Sequence, residues 1–399
     1  MKGESGEMIS LYSIDELRDV AKYGKDKKIK IYGAGFRTTV FLKTLKKFDI
    51  DMDIECIVVA DANKNPRMIN NIPVVGIGEA GLSSGDYLIV TIWKGYLLDE
   101  DTELLEKTGA KLFHITHYIH DLTIYDEIYE DIKPLIENYS EMISGLNQPT
   151  QLDSVVAWSM WWQGEKEAPD VIKACWESKR RNLPPNVKQV IITEDNYKKY
   201  IEIPDYIMEK VCTGEIRLTH LSDIIRATLL YKYGGIWMDA AILMTAPMPE
   251  ECLTYELYTR RSYDGQYPYY ARFNSDLSWN IQFFQARPGN ILFQFWMEAF
   301  FYYFKNHNKL KYYMTCDYFI SIATHIFPQI REQILKIPFN NIREQSIRMH
   351  CYDTYTEEKY QEYTLGNFVS SLDRTCVAQN EGTMIDYILN CFCNSDNKR

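Results

Sequence analysis

The run His220-Leu-Ser-Asp-Ile-Ile-Arg-Ala-Thr-Leu-Leu-Tyr-Lys-Tyr-Gly-Gly-Ile-Trp-Met-Asp239 constrains the fold of this chain more than any other segment. Its first part reads as a helix carrying Ser222, Asp223 and Arg226, and the spacing of Asp223 and Arg226 sets both side chains on one helix face. Gly234 and Gly235 end that helix, since glycine takes the left-handed conformation at little cost. Ile236-Trp237-Met238 reads as a short buried strand. Asp239 therefore emerges at a strand's carboxyl end, where open α/β sheets bind their ligands.

The same alternation is present near the N-terminus. Lys28-Ile-Lys-Ile-Tyr-Gly-Ala-Gly35 predicts a strand feeding a glycine turn, Arg37 to Lys47 a helix, and Ile54 to Ala60 a second strand followed by Asp61. Gly33, Gly35 and Asp61 thus form a candidate nucleotide site of Rossmann-like type, with turn amides for a pyrophosphate and an acid for a ribose hydroxyl. Thr38 replaces the third glycine of that pattern, so a structural or regulatory role for the module stands beside nucleotide binding. Ile72 to Val75, Tyr87 to Ile92 and Lys111 to His114 supply further short strands. His114, His117 and His120 are read as ordinary helix or linker residues. An acidic helical stretch then runs toward the breaker Gly145-Leu-Asn-Gln-Pro-Thr150, and strand signals restart at Val155. The expected division is 1–122 for the N-terminal domain, 123–150 for a helical linker and 151–399 for a second α/β domain.

Composition narrows the function classes. With 44 basic against 55 acidic residues the net charge is −11, which disfavours a general grip on nucleic acid. The first residues lack the apolar core of a secretory signal, so a cytoplasmic protein is expected, and nine scattered cysteines fit thiols kept reduced. Cys391-Phe-Cys393 lacks a second pair and is not read as a zinc site. The most apolar run, Ile291 to Phe304, is too short to span a bilayer, which needs about 20 residues. It is read as a core helix, with an interfacial membrane helix as the alternative.

The motif beginning at Ser222 resembles the SDxxR…YGGxWxD signature of capsular-polysaccharide-type glycosyltransferases, which are similar to the wider GT-A group of glycosylating toxins and small mannosyltransferases. Val155 to Gly164, Ala168-Pro169, Val190 to Asn196, Ile203-Pro204, Cys316-Asp-Tyr-Phe319 and Ile337-Pro-Phe-Asn-Asn341 resemble that family in its order, over roughly residues 150–345. The resemblance implies an α/β chain with a Rossmann-like N-terminal domain followed by a GT-A domain. It also implies transfer of a sugar from a nucleotide-diphosphate donor to a capsular or other surface polysaccharide, with retention. A non-catalytic nucleotide-sugar-binding assembly or sensor protein is the alternative. A nicotinamide-dependent oxidoreductase is a second rival, resting on the N-terminal glycines.

Carried onto this sequence, the family pattern makes Asp239, Asp223 and Arg226 the catalytic candidates. Trp162, Gln163 and Gly164 would approach the nucleotide, although Trp162 also reads as a core residue and Gln163 as a turn residue. Ser222, Gly234 and Gly235 complete the donor-binding set with Asp223, Arg226 and Asp239. Asp239 is the surviving member of a DxD-like pair, because the second position is Ala241. Mn²⁺ or Mg²⁺ is thus an expected cofactor with one carboxylate missing. Trp279, Asn280, Asp317, Asn340 and Asn341 are candidates for a sugar or acceptor pocket; Asn340, Asn341 and His350 are also candidates for the missing metal ligand, although none has diagnostic spacing and each reads as a turn or surface residue. Asp317 would orient Arg226, face the acceptor or serve structure, since a carboxylate in an apolar helix is costly unless paired or used. The implied partners are a nucleotide-sugar and a saccharide or lipid-linked saccharide acceptor, without nucleic acid, and with peripheral contact at the inner membrane face.

Overall fold

Short apolar runs alternating with amphipathic ones build two separate parallel-strand cores, seen in a computed structural model that describes residues 8–11, 13–92, 99–142, 155–261, 279–377 and 381–393. The chain divides into two compact units, Met1–Glu130 and Asp131–Arg399. The first contains β1 (Ile9–Leu11), α1 (Ile14–Tyr23), β2 (Ile29–Tyr32), α2 (Phe36–Lys47), β3 (Ile54–Val59), β4 (Met68–Ile69), β5 (Ile72–Gly76), β6 (Tyr87–Val90), α3 (Asp99–Lys107) and β7 (Lys111–Ile115). Its sheet has the order β1-β7-β6-β2-β3-β5-β4, parallel apart from β4. Strand β2 is buried at every position, as a central strand covered on both faces must be. Its Lys30 reaches Asp86 at 3.0 Å, which offsets the cost of burying the ammonium.

Helix α4 (His117–Met142) starts inside the first unit and ends in the second. The expected break at 122/123 therefore falls within a continuous helix. Thr123 bonds Thr44 at 2.9 Å and Glu127 accepts from Lys43 at 3.0 Å, which ties the early turns of α4 to α2. Farther along, Tyr139 packs edge-on against Phe295 and Phe327 of the second unit. The breaker at 145–150 lies outside the described residues.

The second unit continues with β8 (Val155–Met160), α5 (Asp170–Asn182), β9 (Val187–Ile192), α6 (Asp205–Cys212), α7 (Leu218–Tyr233), β10 (Gly235–Met238), β11 (Ile242–Met244), β12 (Leu257–Arg261), β13 (Trp279–Ala286) and α8 (Ile291–Asn306). It closes with α9 (Thr315–Ile326), α10 (Pro328–Leu335), α11 (Ser346–Met349), α12 (Glu357–Thr364), β14 (Val369–Ser371) and α13 (Met384–Cys393). The main sheet runs β12-β13-β10-β8-β9, with β9, β8 and β10 parallel and β13 and β12 turned back. The carboxyl ends of β8, β9 and β10 thus share one edge with the amino end of β13. A two-stranded β11–β14 sheet lies apart from it in hydrogen bonding.

One expectation is met and one changes here. The apolar run in α8 is a core helix as expected, with Phe293, Phe295, Trp296, Phe300 and Phe304 fully buried. Ile337-Pro-Phe is irregular rather than strand-like: Pro338 has no N–H to give, and the Ile337 carbonyl is taken by the Arg261 side chain at 2.5 Å. The polar tail after Tyr352, which carries no recognisable motif, completes the core through β14 and the buried Met384, Ile385 and Ile388 of α13. Among the described residues no helix is long and apolar enough to cross a membrane.

Candidate functional site

Helix α7 and strand β10 are held close by the glycines between them. Gly234 (φ +63°) caps the helix, and a Cβ there would stand 2.6 Å from the Ala286 carbonyl oxygen. Gly235 (φ +88°) begins β10, and its Cβ would meet the Val156 oxygen at 2.3 Å. The glycines expected in a donor-binding set therefore have a packing reason of their own. They let β10 slot between β8 and β13 directly after the helix turn.

That junction brings three of the candidate side chains together. The Arg226 guanidinium donates through Nη1 to Asp223 Oδ1 at 2.8 Å and through Nη2 to Asp239 Oδ1 at 2.6 Å. Trp237 Nε1 donates to the same Asp239 oxygen at 2.8 Å, and the guanidinium lies over the Trp237 ring at 4.9 Å. Arg226 and Asp223 are almost wholly buried, whereas the Asp239 side chain keeps 29% of its exposure. Asp239 thus has Oδ1 pinned, while its Oδ2 takes no hydrogen bond among the described residues.

Electrostatics in this cluster follow from burial. Burial pushes the Asp223 carboxyl up to about 7; Arg226 opposes the shift, while Asp317 and Asp239 add to it. For Arg226 burial acts the other way, but Asp239 and Asp223 outweigh it and hold the guanidinium charged. Asp317, buried at the start of α9, accepts from the Cys316 thiol at 3.2 Å. Burial and the neighbouring Asp223 and Asp317 push that thiol well above its ordinary value. Ser222 sits half-buried one residue before Asp223.

The remaining candidates separate. Trp162, Gln163 and Gly164 follow β8 on the same sheet edge as Asp239. Trp162 is buried against Tyr197 at 5.2 Å, Gln163 is exposed, and Gly164 has φ +93°. Trp279 pairs with Arg261 across β12 and β13. Asn341 is fully buried with its amide used inside the fold: Oδ1 accepts from the backbone of Phe368 and Val369, and Nδ2 donates to Asn340 Oδ1. Asn340 in turn donates to backbone oxygens of Thr259 and Pro338. These amides brace the loop after α10, with Asn341 enclosed in the fold and Asn340 half-buried. His350 stacks on Tyr363 and contacts Asp353, a local arrangement at the surface. Among the described residues no three His, Cys, Asp or Glu side chains converge as a metal site.

In the first unit, Gly33 (φ +108°) follows β2 and Gly35 caps α2. Thr38, in place of a glycine, donates to the Gly33 carbonyl at 2.6 Å and bonds Thr91 at 2.7 Å, so it closes the turn on itself. Asp61 caps the next turn through Asn63 and contacts Lys64, which gives its carboxylate local work.

Several residues near Asp239 escaped the sequence reading. Lys179 of α5 is fully buried and donates to the carbonyl oxygens of Asp239 (2.8 Å) and Ala240 (3.3 Å) and to Ser159 (3.2 Å). Burial lowers its ammonium to about 8. Its signal was available: a lysine four residues after Cys175 stands on the apolar face of α5. Arg260, also fully buried, pairs with Glu344 at 2.5 Å and donates to Asn280 (2.8 Å), Gln282 (2.6 Å) and Ser371 (3.0 Å). Burial lowers Arg260 while Glu344 and Asp239 act to raise it. No local spacing announces that cluster, because it joins four separate segments.

Comparison with known proteins gives the geometry a setting. The profile described as capsular polysaccharide synthesis protein matches residues 111–380. A protein of Aspergillus fumigatus (strain CBS 144.89 / FGSC A1163 / CEA10) called glycosyltransferase afumC is 25% identical over 170 residues, which is 38% of this chain and 41% of that relative. The chain thus spans less than half the length of that curated relative. Among solved structures, PaToxG glycosyltransferase is 14% identical, with 62% of this chain and 98% of that one covered at a TM-score of 0.34. A likeness that loose has no bearing on the fold.

Proposed function

This chain belongs to the capsular polysaccharide synthesis protein family, and from that membership we propose that it is a glycosyltransferase using a nucleotide-diphosphate sugar. The observation that carries the proposal is the Asp223–Arg226–Asp239 chain at the carboxyl end of β10. A buried guanidinium held between two carboxylates is fixed in direction, which suits recognition of a polar, multiply oxygenated ligand. The second unit would be the GT-A-type catalytic domain and the first a Rossmann-like module.

In this reading Asp223 accepts from hydroxyls of the donor sugar, and Arg226 meets sugar or diphosphate oxygens. Trp162, Gln163 and Gly164 receive the nucleotide, with the buried Trp162 shaping the loop. The C1–O bond to the diphosphate breaks, and its electron pair leaves on the diphosphate oxygen. The acceptor hydroxyl forms the new bond to C1 on the same face, and its proton passes to the departing diphosphate. The positive side chains near Asp239 then oppose the charge that builds on the leaving group, and orientation supplies much of the rate.

A divalent cation fits Asp239 as a single-ligand site. Oδ2 is open, Oδ1 is held by Arg226 and Trp237, and Mg²⁺ or Mn²⁺ commonly takes only one or two carboxylates beside substrate phosphates and water. Such an ion would supply further charge neutralisation on the diphosphate. The acceptor would be a saccharide or lipid-linked saccharide of a surface polysaccharide, reached at the inner face of a membrane.

The test is incubation with a panel of nucleotide-sugars, with and without Mn²⁺, reading donor hydrolysis and transfer. Turnover in wild type with a drop of about a hundredfold in Asp239→Asn is expected, in line with removal of one preorganised group. Wild type that neither binds nor turns over any donor overturns the proposal. Binding without turnover would instead make the protein a sugar-nucleotide sensor.

A further inference from the structure

Strand β13 presents an amide beside the Asp239 carboxylate whose direction is dictated by chemistry. Asp239 N donates to the Gln282 carbonyl at 2.9 Å, one step beyond the pairing of Met238 with Phe283. Asp239 and Gln282 are therefore cross-strand partners on one face, with Cβ atoms about 5 Å apart as such partners are. Gln282 Oε1 accepts from Arg260 Nη2 at 2.6 Å and from Ser371 Oγ at 2.9 Å. Arginine has donors and no acceptor, so the oxygen of this amide faces Arg260 and cannot flip away. Asn280 obeys the same logic, its Oδ1 accepting from Arg260 and its Nδ2 donating to Glu344 at 3.3 Å.

With its oxygen committed, Gln282 has only its NH₂ group to offer outward. That group takes no partner among the described residues, and the side chain is half-buried rather than enclosed. Asp239 Oδ2 beside it is an acceptor equally without a partner there, and its two lone-pair sites leave room for a hydroxyl as well as a cation. A fixed donor next to a fixed acceptor matches two neighbouring hydroxyls, one accepting from the amide and the other donating to the carboxylate.

We infer that Gln282 is a specificity-determining residue that, with Asp239, reads a vicinal diol of the bound ligand, its amide held in the donating direction by Arg260. The inference rests on the nucleotide-sugar reading of the site and adds the group that is recognised. A vicinal diol occurs both on the ribose of a nucleotide and on a hexose ring, and the experiment separates the two.

Wild type, Gln282→Glu and Gln282→Met are titrated by calorimetry with uridine and guanosine diphosphates, their 2′-deoxy forms and their hexose conjugates, and their melting is recorded. Gln282→Glu keeps an acceptor for Arg260 and Ser371 but loses the outward donor, so it should fold as wild type does. Both variants should bind the diol-bearing ligand at least about tenfold more weakly, as loss of a hydrogen bond to a committed partner implies. If the diol is the ribose, wild type should already discriminate against the 2′-deoxy diphosphates, and the variants should lose that discrimination. If it belongs to the hexose, the variants should bind the free diphosphates normally and lose the advantage of the sugar conjugates. Equal binding by wild type and both variants overturns the inference alone. Weakening in Gln282→Glu but not in Gln282→Met marks charge repulsion and overturns it as well. Wild type that binds none of these ligands overturns the donor reading together with this inference.

Discussion

Asp223 shows how much a single buried side chain can set the working range of a site. It shares Arg226 with Asp239 and lies near Asp317, so its carboxyl is held up to about 7, with burial the main cause. Below that pH the residue takes up a proton and its charge-assisted bond to Arg226 weakens, leaving the guanidinium to Asp239 alone. The kcat/KM for donor hydrolysis should therefore rise with pH through about 7, and Asp223→Asn should flatten that limb. Stability has the opposite sign. The folded value lies above the ordinary 3.8, so the stabilisation associated with Asp223 is complete below 3.8 and is lost as pH rises through about 7. A wild-type profile with no inflection between pH 6 and 8, identical to that of Asp223→Asn, would remove Asp223 from the titrating machinery. Asp223, Arg226 and Asp239 were legible because their partners are near in sequence and their spacing follows the helix period. Arg260 was not, since its bonds reach Ser371 across 111 residues.

At the scale of elements, the α7–turn–β10 unit depends on glycine for clearance more than for flexibility. A Cβ at Gly235 would lie 2.3 Å from a backbone oxygen of β8, and the residue already occupies φ +88°. Neither strain can be relieved by a side-chain rotation, so β10 must move away from β8 or the glycine region of the map must be vacated. Gly235→Ala should lower unfolding free energy by about 3 kcal/mol or more, read from urea melts. Donor binding should fall further than stability alone requires, because Asp239 is fixed by the same strand. A fully stable Gly235→Ala protein would show that the junction has slack. The strands β2, β6 and β10 were readable from their apolar runs, and α8 from its length. Strand β1 and the tail elements β14 and α13 were not, because short or polar-rich segments gain their structure from partners distant in the chain.

Across the whole molecule the two rounds of α/β alternation in the sequence correspond to a parallel-strand sheet in each of the two units. Several weak acids, most of them in the second unit, are buried, and that has a thermodynamic consequence. Burial is the leading cause that pushes Cys175 and Cys351 to about 12, Cys252 to about 11, and Tyr32, Tyr303 and Tyr360 to about 12. In the unfolded chain these groups ionise near 9.0 for thiols and 10.0 for phenols. Folded values above unfolded ones mean that the unfolded state sheds protons first as pH rises. The stabilisation is then whole below about 9 and drains away as pH climbs toward 12. Lys179, lowered to about 8, acts in the reverse sense between about 8 and 10.5, and the lowered Lys47 adds to it, so these two lysines oppose the six thiols and phenols above. The melting temperature should accordingly hold level up to about pH 9 and fall steeply by about pH 11. The net charge of −11 offers a competing cause, self-repulsion that grows with deprotonation. Salt separates the two, since about 1 M salt screens repulsion between exposed charges to about 3 Å but leaves desolvation of buried groups in place. An alkaline fall that persists in high salt supports burial as the cause. A fall abolished by salt, or a melting temperature unchanged at pH 11, would refute it.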